Sequence, residues 1–401
     1  MRHWKRMTVM LLAGAAMSWP AVARARIKLI TLPVRERVEI QLDHQDVTLV
    51  EEERIVPLVK GENQVDFSWS NTQIDPNTIV FRVIGPGAAD QPQLDVKVLS
   101  VSYPPNEPSL VWAVGASDSG SARVRISYVL GNLSKSFNYR AIASNDEKTL
   151  SLSQYLRLQN LANEEFGSSE LWAGFGTEFR KPIGINQTME MLMARIDNVP
   201  VRKTWTCDLE QFGYLDPAQQ KLRVPMHYVI RNDKASRLGT AALPFGKVRI
   251  FIEGQREGAT AFLGEDWGQF TPIDDEMKLY LGVAQDVVVR RTIERSNTTR
   301  VAGNLWNQEV IIKYEIENFK DKPITLDVCE SLRMIRNQLR GDTGRDVQWE
   351  MGNETTFKPG PDAERSTSDR LVFHADLPAR GNDGKAEKIV HKLHLILKNE
   401  W

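Results

Sequence analysis

Five carboxylates crowd one short span, "AFLGEDWGQFTPIDDEMKLYLG" from Ala261 to Gly282: Glu265, Asp266, Asp274, Asp275 and Glu276. Acids at that density suit a divalent cation or a general acid–base pair. A calcium loop, however, needs oxygens at regular odd spacing around a central Gly. Here the acids form two groups with Phe270 and Ile273 between them. A glycosidase pair is defined by separation in space, so chain spacing neither demands nor forbids it. Met277, Leu279, Leu281 and Val283 follow the second group as one apolar face, and Phe262 and Leu263 precede the first. The spacing predicts two strands joined by polar turns that hold the acids, with Met277, Leu279 and Leu281 buried.

The remaining reactive side chains read as structural. His391 and His394 lie three apart in "KIVHKLHLIL", whose alternation is that of a strand, so they face opposite ways and cannot share an ion. His227 sits opposite Met226 and Tyr228 in phase and is expected in solvent. Met189, Met191 and Met193 could offer thioethers to a soft metal, but period-2 Met on a strand suits a core better. No G-x-S-x-G elbow occurs, and "GASDSGS" (Gly115 to Ser121) reads as a turn. No Gly-rich phosphate loop precedes a helix. The two cysteines invite a disulfide in an oxidising compartment. Their phases oppose it: Cys207 shares a face with Val201 and Trp205, Cys329 with Thr325 and Asp327. Two free thiols are expected, Cys207 protected and Cys329 accessible. No catalytic, cofactor-binding or metal-ligating residue is assigned.

The elements that carry these residues are strands. "EVIIKYEIEN" puts Val310, Ile312, Tyr314 and Ile316 on one face, and "ITLDV" continues with Ile324, Leu326 and Val328. The same period recurs at Val65, Phe67 and Trp69, at Ile79, Phe81 and Val83, at Val124, Ile126 and Tyr128, at Val224 to Ile230, and at Val248, Ile250 and Ile252. One buried and one wet face is the mark of antiparallel sheets. Turn chemistry such as "VKGEN", "IDPNT" and "NFKDKP" separates the runs. The fold class is all-β, with tandem antiparallel β-sandwich domains and little helix. A helix is expected at "ESLRMIRNQLRG", with Leu332, Ile335 and Leu339 in phase and Gly341 as its cap. "LSLSQYLRLQNLANEEF" fits either period, and the shared face of Leu150, Leu152, Leu156 and Leu158 favours a strand. The expected divisions are a leader at 1–25, an N-terminal β domain at 26–112 and a β-sandwich region at 113–401, itself divisible near 200–240. "GNETTFKPGPDAERSTSDR" (Gly352 to Arg370) reads as a polar insertion between late strands.

The leader is the tripartite secretory kind. Arg2, Lys5 and Arg6 open it, "MTVMLLAGAAMSW" follows, and Ala23 and Ala25 form an A-x-A site. The apolar run is shorter than the roughly 20 residues a spanning helix needs. No later stretch reaches that length. The formal net charge of −1, with Lys and Arg scattered, speaks against nucleic acid.

The span around the acids also carries a resemblance. Leu243, Pro244, Gly246, Val248 and Ile250, then Leu263 to Asp266, Thr271 and Pro272, then Leu279, Leu281, Gly282, Asp286 and Val287 resemble the core pattern of the mucoidy inhibitor A-like family of domains of unknown function. Phe251 stands where that pattern has Tyr. "VRISYVLGNLSKSFNYRAI" and "VIIKYEIENFKDKPITLDVCESL" look like two further family segments, and the likeness covers nearly the whole chain after the leader. It implies β-sandwich architecture and export, and no activity, cofactor or catalytic residue.

Two functions follow as expectations. One is an exported, non-catalytic scaffold or interaction protein of the envelope or exterior, periplasmic or extracellular, with an envelope protein or polysaccharide as partner. The other is a carbohydrate-binding module, or a glycoside hydrolase with paired carboxylates, suggested by ten Trp and abundant acids. Exposed aromatics on a sheet face would favour the second; Trp69 and Trp205 are in phase with core neighbours. N-terminal sequencing of exported protein is expected to start at Arg26; an intact Met1 or a purely cytosolic pool would defeat the export reading.

Overall fold

The computed structural model describes residues 28–400 apart from 43, 45, 46, 91, 173–177, 255, 257, 340–347, 358 and 359. The leader at 1–25, its cleavage site and Gly341 therefore lie outside the described residues. The alternating runs are strands throughout, and the chain is all-β. It folds as two compact units.

The first unit takes residues 1–132 and, discontinuously, 162–171 and 180–185. Sheet I holds, in spatial order, Lys28–Thr31, Gly61–Ser68, Ser109–Ala116 and Val96–Ser102. Sheet II holds Glu178–Ile183, Phe166–Trp172, Arg37–Gln41, Thr48–Leu58, Gly120–Leu130 and Val80–Pro86. Rings join the two: Phe67 of sheet I lies 5.9 Å from Tyr128 of sheet II, and Trp112 lies 4.9 Å from Phe81. A boundary after Trp112 would cut the strand Ser109–Ala116, which pairs on both edges. The units part at Asn132 instead. A fully buried carboxylate, Glu52, sits in sheet II held by Arg35 and by Arg54 Nε at 2.9 Å.

The second unit takes 133–161, 172–179 and 186–401. Sheet III is Thr188–Pro200, Thr149–Asn160, Leu133–Ala143, Gly246–Glu253 and Thr260–Gly268. Sheet IV is Glu276–Val283, Pro225–Arg231, Arg202–Asp208, Ile324–Ser331 and Arg370–Leu377. Sheet V is Tyr214–Asp216, Lys221–Leu222, Val287–Ala302, Leu305–Asn318, Lys388–Glu400 and Gln348–Met351. "LSLSQYLRLQ" is a strand, with Leu150, Leu152, Leu156 and Leu158 buried. The helix Leu332–Leu339 forms as expected, burying Leu332 and Ile335. The sheets are mixed rather than purely antiparallel, since Leu133–Ala143 runs parallel to Gly246–Glu253, and Arg202–Asp208 to Ile324–Ser331.

Gly246 explains the first parallel contact. A Cβ there would stand 2.3 Å from the carbonyl oxygen of Phe137 on the neighbouring strand, so only Gly admits that approach. Tyr139 then donates its hydroxyl to the Pro244 carbonyl at 2.7 Å.

Sheets IV and V share one core. Val310, Ile312, Tyr314 and Ile316 of sheet V meet Leu326, Val328, Phe373 and Ala375 of sheet IV. Within it, Arg291 of sheet V makes a two-pronged contact with Glu330 of sheet IV, and its NH1 donates to Gln338 of the helix at 3.0 Å. The two side chains are 1% and 2% exposed. Burial pushes the Glu330 carboxyl up, against the pull of Arg291. Such a pair is costly to break from one side, because the partner is left charged and dry. Glu330→Gln is expected to cost about 3–5 kcal/mol in urea unfolding. Arg291→Met with Glu330→Leu should recover most of that loss.

Candidate functional site

The outer face of sheet IV forms the main candidate site, a cleft of about 650 Å³. Alternation builds it. In Arg202–Asp208, Trp205 and Cys207 face the core, while Arg202, Thr204 and Thr206 line the cleft. In Ile324–Ser331, Leu326 and Val328 go inward while Asp327 and Cys329 go outward. Arg370 and Val372 come from the next strand, and His227, Val229, Glu276 and Lys278 from the opposite side. The one-turn helix Leu209–Phe212 adds Gln211 and Phe212, and the polar insertion adds Glu364 and Arg365.

Several charges in this cleft hold one another. Asp327 Oδ2 accepts from Arg365 NH2 at 2.7 Å, and its Oδ1 lies 2.9 Å from His374 Nδ1. His374 Nε2 is 3.3 Å from Asp362 Oδ2, which closes a clasp between the insertion and the sheet. Asp208 caps the short helix by accepting from the Gln211 N–H at 3.0 Å, and its other oxygen binds Arg370. Arg202 meets Glu276 at 3.5 Å at the rim. Phe212 and His227 line one side with rings 6.5 Å apart, and the Tyr280 ring lies 5.6 Å from His227.

His227 is thus half-buried among aromatics, not free in solvent as its phase suggests. Its burial and the nearby Lys278 ammonium lower its pKa. The parallel register sets Cys207 beside Val328 and Asp208 beside Cys329, so the thiols point to opposite faces. Both are free. The phase argument for free thiols holds, but Cys329 is buried, with only 5% exposed, where accessibility is expected. The side chain of Arg370, anchored on Asp208 at the next register step, covers that position. Burial pushes the Cys329 thiol up to about 11, and Cys207 rises for the same reason. Neither is a thiolate nucleophile near neutral pH.

The acidic span divides differently from the turn reading. Glu265 and Asp266 lie inside the strand Thr260–Gly268. Glu265 pairs with Lys247 at 2.9 Å across sheet III. Asp266 Oδ2 accepts the Tyr280 N–H at 2.7 Å, which ties sheet III to sheet IV. Asp274 and Asp275 are turn residues, Asp274 at φ 67, held from below by buried Asn232. The Asn232 N–H donates to the Asp275 carbonyl and its own carbonyl accepts from Asp274, both at 2.8 Å. The Asn232 amide also donates to the carbonyls of Ala241, Thr271 and Pro272 at 3.0–3.1 Å. Met277 and Leu279 are fully buried, whereas Leu281 is only half-buried. The residues carrying the family resemblance thus do architectural work: Leu243 and Thr271 exchange both backbone bonds, at 2.8 and 2.9 Å.

The other candidates fall out of chemistry. His391 stacks on Phe357 in the core at 4.6 Å, and His394 lies on the other face, 3.0 Å from Glu309. Met191 is buried, with Met189 and Met193 half-buried on the same edge strand. No group of three or more His, Cys, Asp or Glu able to hold a metal occurs among the described residues. A second cleft, about 740 Å³, surrounds Trp205, which lies 5.7 Å from the ammonium groups of both Lys203 and Lys320. Glu147 takes hydrogen bonds there from Lys203 and the Tyr228 hydroxyl, both at 2.6 Å. Asp208, Asp362, Arg365 and Arg370 were not singled out by the sequence. Asp208 and Arg370 carry only outward phase on strands whose partners lie far along the chain, and Asp362 and Arg365 only their place in the polar insertion.

Compared with known protein families and with characterised proteins, the chain matches none.

Two predictions follow from the geometry. Leu279→Ala should cost about 2–5 kcal/mol, whereas Asp274→Gly, at a left-handed turn position, should stay within about 0.5 kcal/mol; chemical denaturation checks both. A histidine whose pKa is lowered on folding contributes fully above its unfolded value of about 6.5, and that contribution is lost as pH falls through the folded pKa. The stability of His227→Gln should therefore fall less than that of the parent between neutral and mildly acidic pH.

Proposed function

We propose that this chain is an exported, non-catalytic all-β interaction protein of the cell envelope or exterior, akin to the mucoidy inhibitor A-like domains. One observation carries the reading. In the cleft on sheet IV two carboxylates and the thiol are already engaged: Asp327 between Arg365 and His374, Asp208 between the helix amide and Arg370, and the Cys329 thiol buried. Fixed donors and acceptors of that kind suit recognition rather than turnover, which needs a group free to change protonation.

A second reading, glycan binding, is favoured by the same cleft. Three of its cations are answered by carboxylates, Arg202 by Glu276, Arg365 by Asp327 and Arg370 by Asp208, and the Phe212 ring lines it, features that suit a polyhydroxylated ligand. The exposed Trp267 adds less than its 50% exposure suggests. Its indole is stacked on Phe245 at 5.1 Å, and the Lys247 ammonium lies 5.1 Å from the ring centre, so part of the ring is already engaged within the protein. A glycan array, paired with an assay for released reducing ends, tests both readings. No release is expected from any polysaccharide. Release that disappears in Asp327→Asn would overturn the non-catalytic reading, and binding abolished by Phe212→Ala with folding intact would establish the glycan one.

A further inference from the structure

The cleft on sheet IV has an engaged part and an unengaged one. Arg202, Arg365 and Arg370 each face a carboxylate. Lys278 is the fourth cation lining it, and among the described residues its ammonium has no carboxylate partner. The Thr204 and Thr206 hydroxyls, the His227 ring nitrogens and the Gln211 side-chain amide also line the cleft without a hydrogen-bond partner among those residues.

Register gathers these groups into one strip. Lys278 stands opposite Val229, and Val229 opposite Arg202. In the next outward row His227 stands opposite Thr204, and in the row after that Thr206 stands beside Asp327. The register shift between Pro225–Arg231 and Glu276–Val283 falls before His227, so the pairs from His227 to Arg231 are regular. Rows are about 7 Å apart and neighbouring strands about 4.8 Å, so a short oligosaccharide spans the strip.

We propose that this strip binds an acidic sugar, with the Lys278 ammonium on the carboxylate of a uronic acid residue and Thr204, Thr206 and His227 on its ring hydroxyls. This assignment rests on the glycan reading and gives it a charge class. One free ammonium suits one carboxylate, whereas a doubly charged phosphate brings a second charge that no free cation in the strip answers. Glu276, two residues along the same strand face, is turned to Arg202. The other unpartnered charge in the cleft, Glu364, comes from the insertion, which is held to the opposite edge of sheet IV by the Asp362 N–H on the Val372 carbonyl. It does not compensate Lys278.

His227 fits the same ligand. Burial and the Lys278 charge hold its pKa down, so at neutral pH the uncharged ring both donates to and accepts from hydroxyls. The Phe212 ring, 6.5 Å from His227, supplies an apolar wall for the C–H face of a sugar. A peptide fits less well. Arg202–Asp208 and Pro225–Arg231 are each paired on both edges within sheet IV, so the floor offers no free backbone to an added strand.

Isothermal titration calorimetry of the purified protein with trigalacturonate, its methyl ester and triglutamate tests this. The expected result is binding of trigalacturonate that weakens as salt is raised, about tenfold weaker binding of the ester, and none of triglutamate. Lys278→Met, at an exposed position, should keep the parent melting temperature, bind trigalacturonate only as well as the ester, and leave ester binding unchanged. Equal affinity of the parent for acid and ester would overturn the acidic class and leave the glycan reading standing. Binding of triglutamate in place of the saccharide would overturn it in favour of an acidic peptide. Trigalacturonate binding untouched in Lys278→Met would overturn the placement of the carboxylate. Binding of neither saccharide would overturn this assignment, and the glycan reading then stands or falls on the array.

Discussion

The contact between Arg291 and Glu330 governs the second unit. It is the place where a charge from one sheet of the sandwich is answered by a charge from the other, with essentially no water on either side. Apolar packing around it is non-directional and would tolerate one sheet sliding over the other. A bidentate guanidinium–carboxylate pair does not, because its geometry is fixed in plane and distance. Gln338 extends the same restraint to the helix Leu332–Leu339, so that sheet IV, sheet V and the helix that follows Glu330 are positioned by one side chain.

With sheet IV held that way, alternation decides what its other face can be. Every residue turned from the core at Thr204, Thr206, Asp327, Cys329 and Arg370 is delivered to one concave surface. The parallel register of Arg202–Asp208 beside Ile324–Ser331 aligns Asp208 with Cys329. Antiparallel pairing then brings His374 beside Asp327 and Val372 beside Cys329. The ion pairs are consequences of register rather than of local sequence. They also explain why much of the site is electrically quiet: Arg365 and Arg370 each arrive next to a carboxylate.

Much of the fold was legible because the strands carry their own period. Val310 through Ile316 and Ile324 through Val328 carry the alternation, and each inward residue is buried, although Ile311 and Asp327 on the other face are buried too. The opposite faces of Cys207 and Cys329 were readable for the same reason. What phase cannot supply is neighbourhood. His227 and Cys329 both point away from the core as expected, yet Phe212 and Tyr280 flank one and Arg370 covers the other. Those coverings come from 15 to 53 residues away, through pairings that leave no trace in composition. The acids at Glu265 and Asp266 misled in a similar way, since density of charge suggested turns where a strand needed cross-strand partners. The site itself was not legible, because Asp208 and Arg370 are separated by 162 residues.

The discontinuity of the first unit has a consequence for how the chain acquires its structure in time. Its six-stranded sheet closes with Phe166–Trp172 and Glu178–Ile183, after the chain has already contributed two strands to the other unit. As a chain emerges from a ribosome or a translocation pore, the first unit cannot complete itself when its own first 132 residues are out. The strand Arg37–Gln41 must wait, one edge unsatisfied, for a partner about 130 residues behind it. Loop closure over such distances is slow, and unpaired edges are sticky while they wait. Vectorial emergence therefore favours a pathway in which both units ripen together late, and makes the interval before residue 185 clears the exit the stage at which a holding chaperone has most to do.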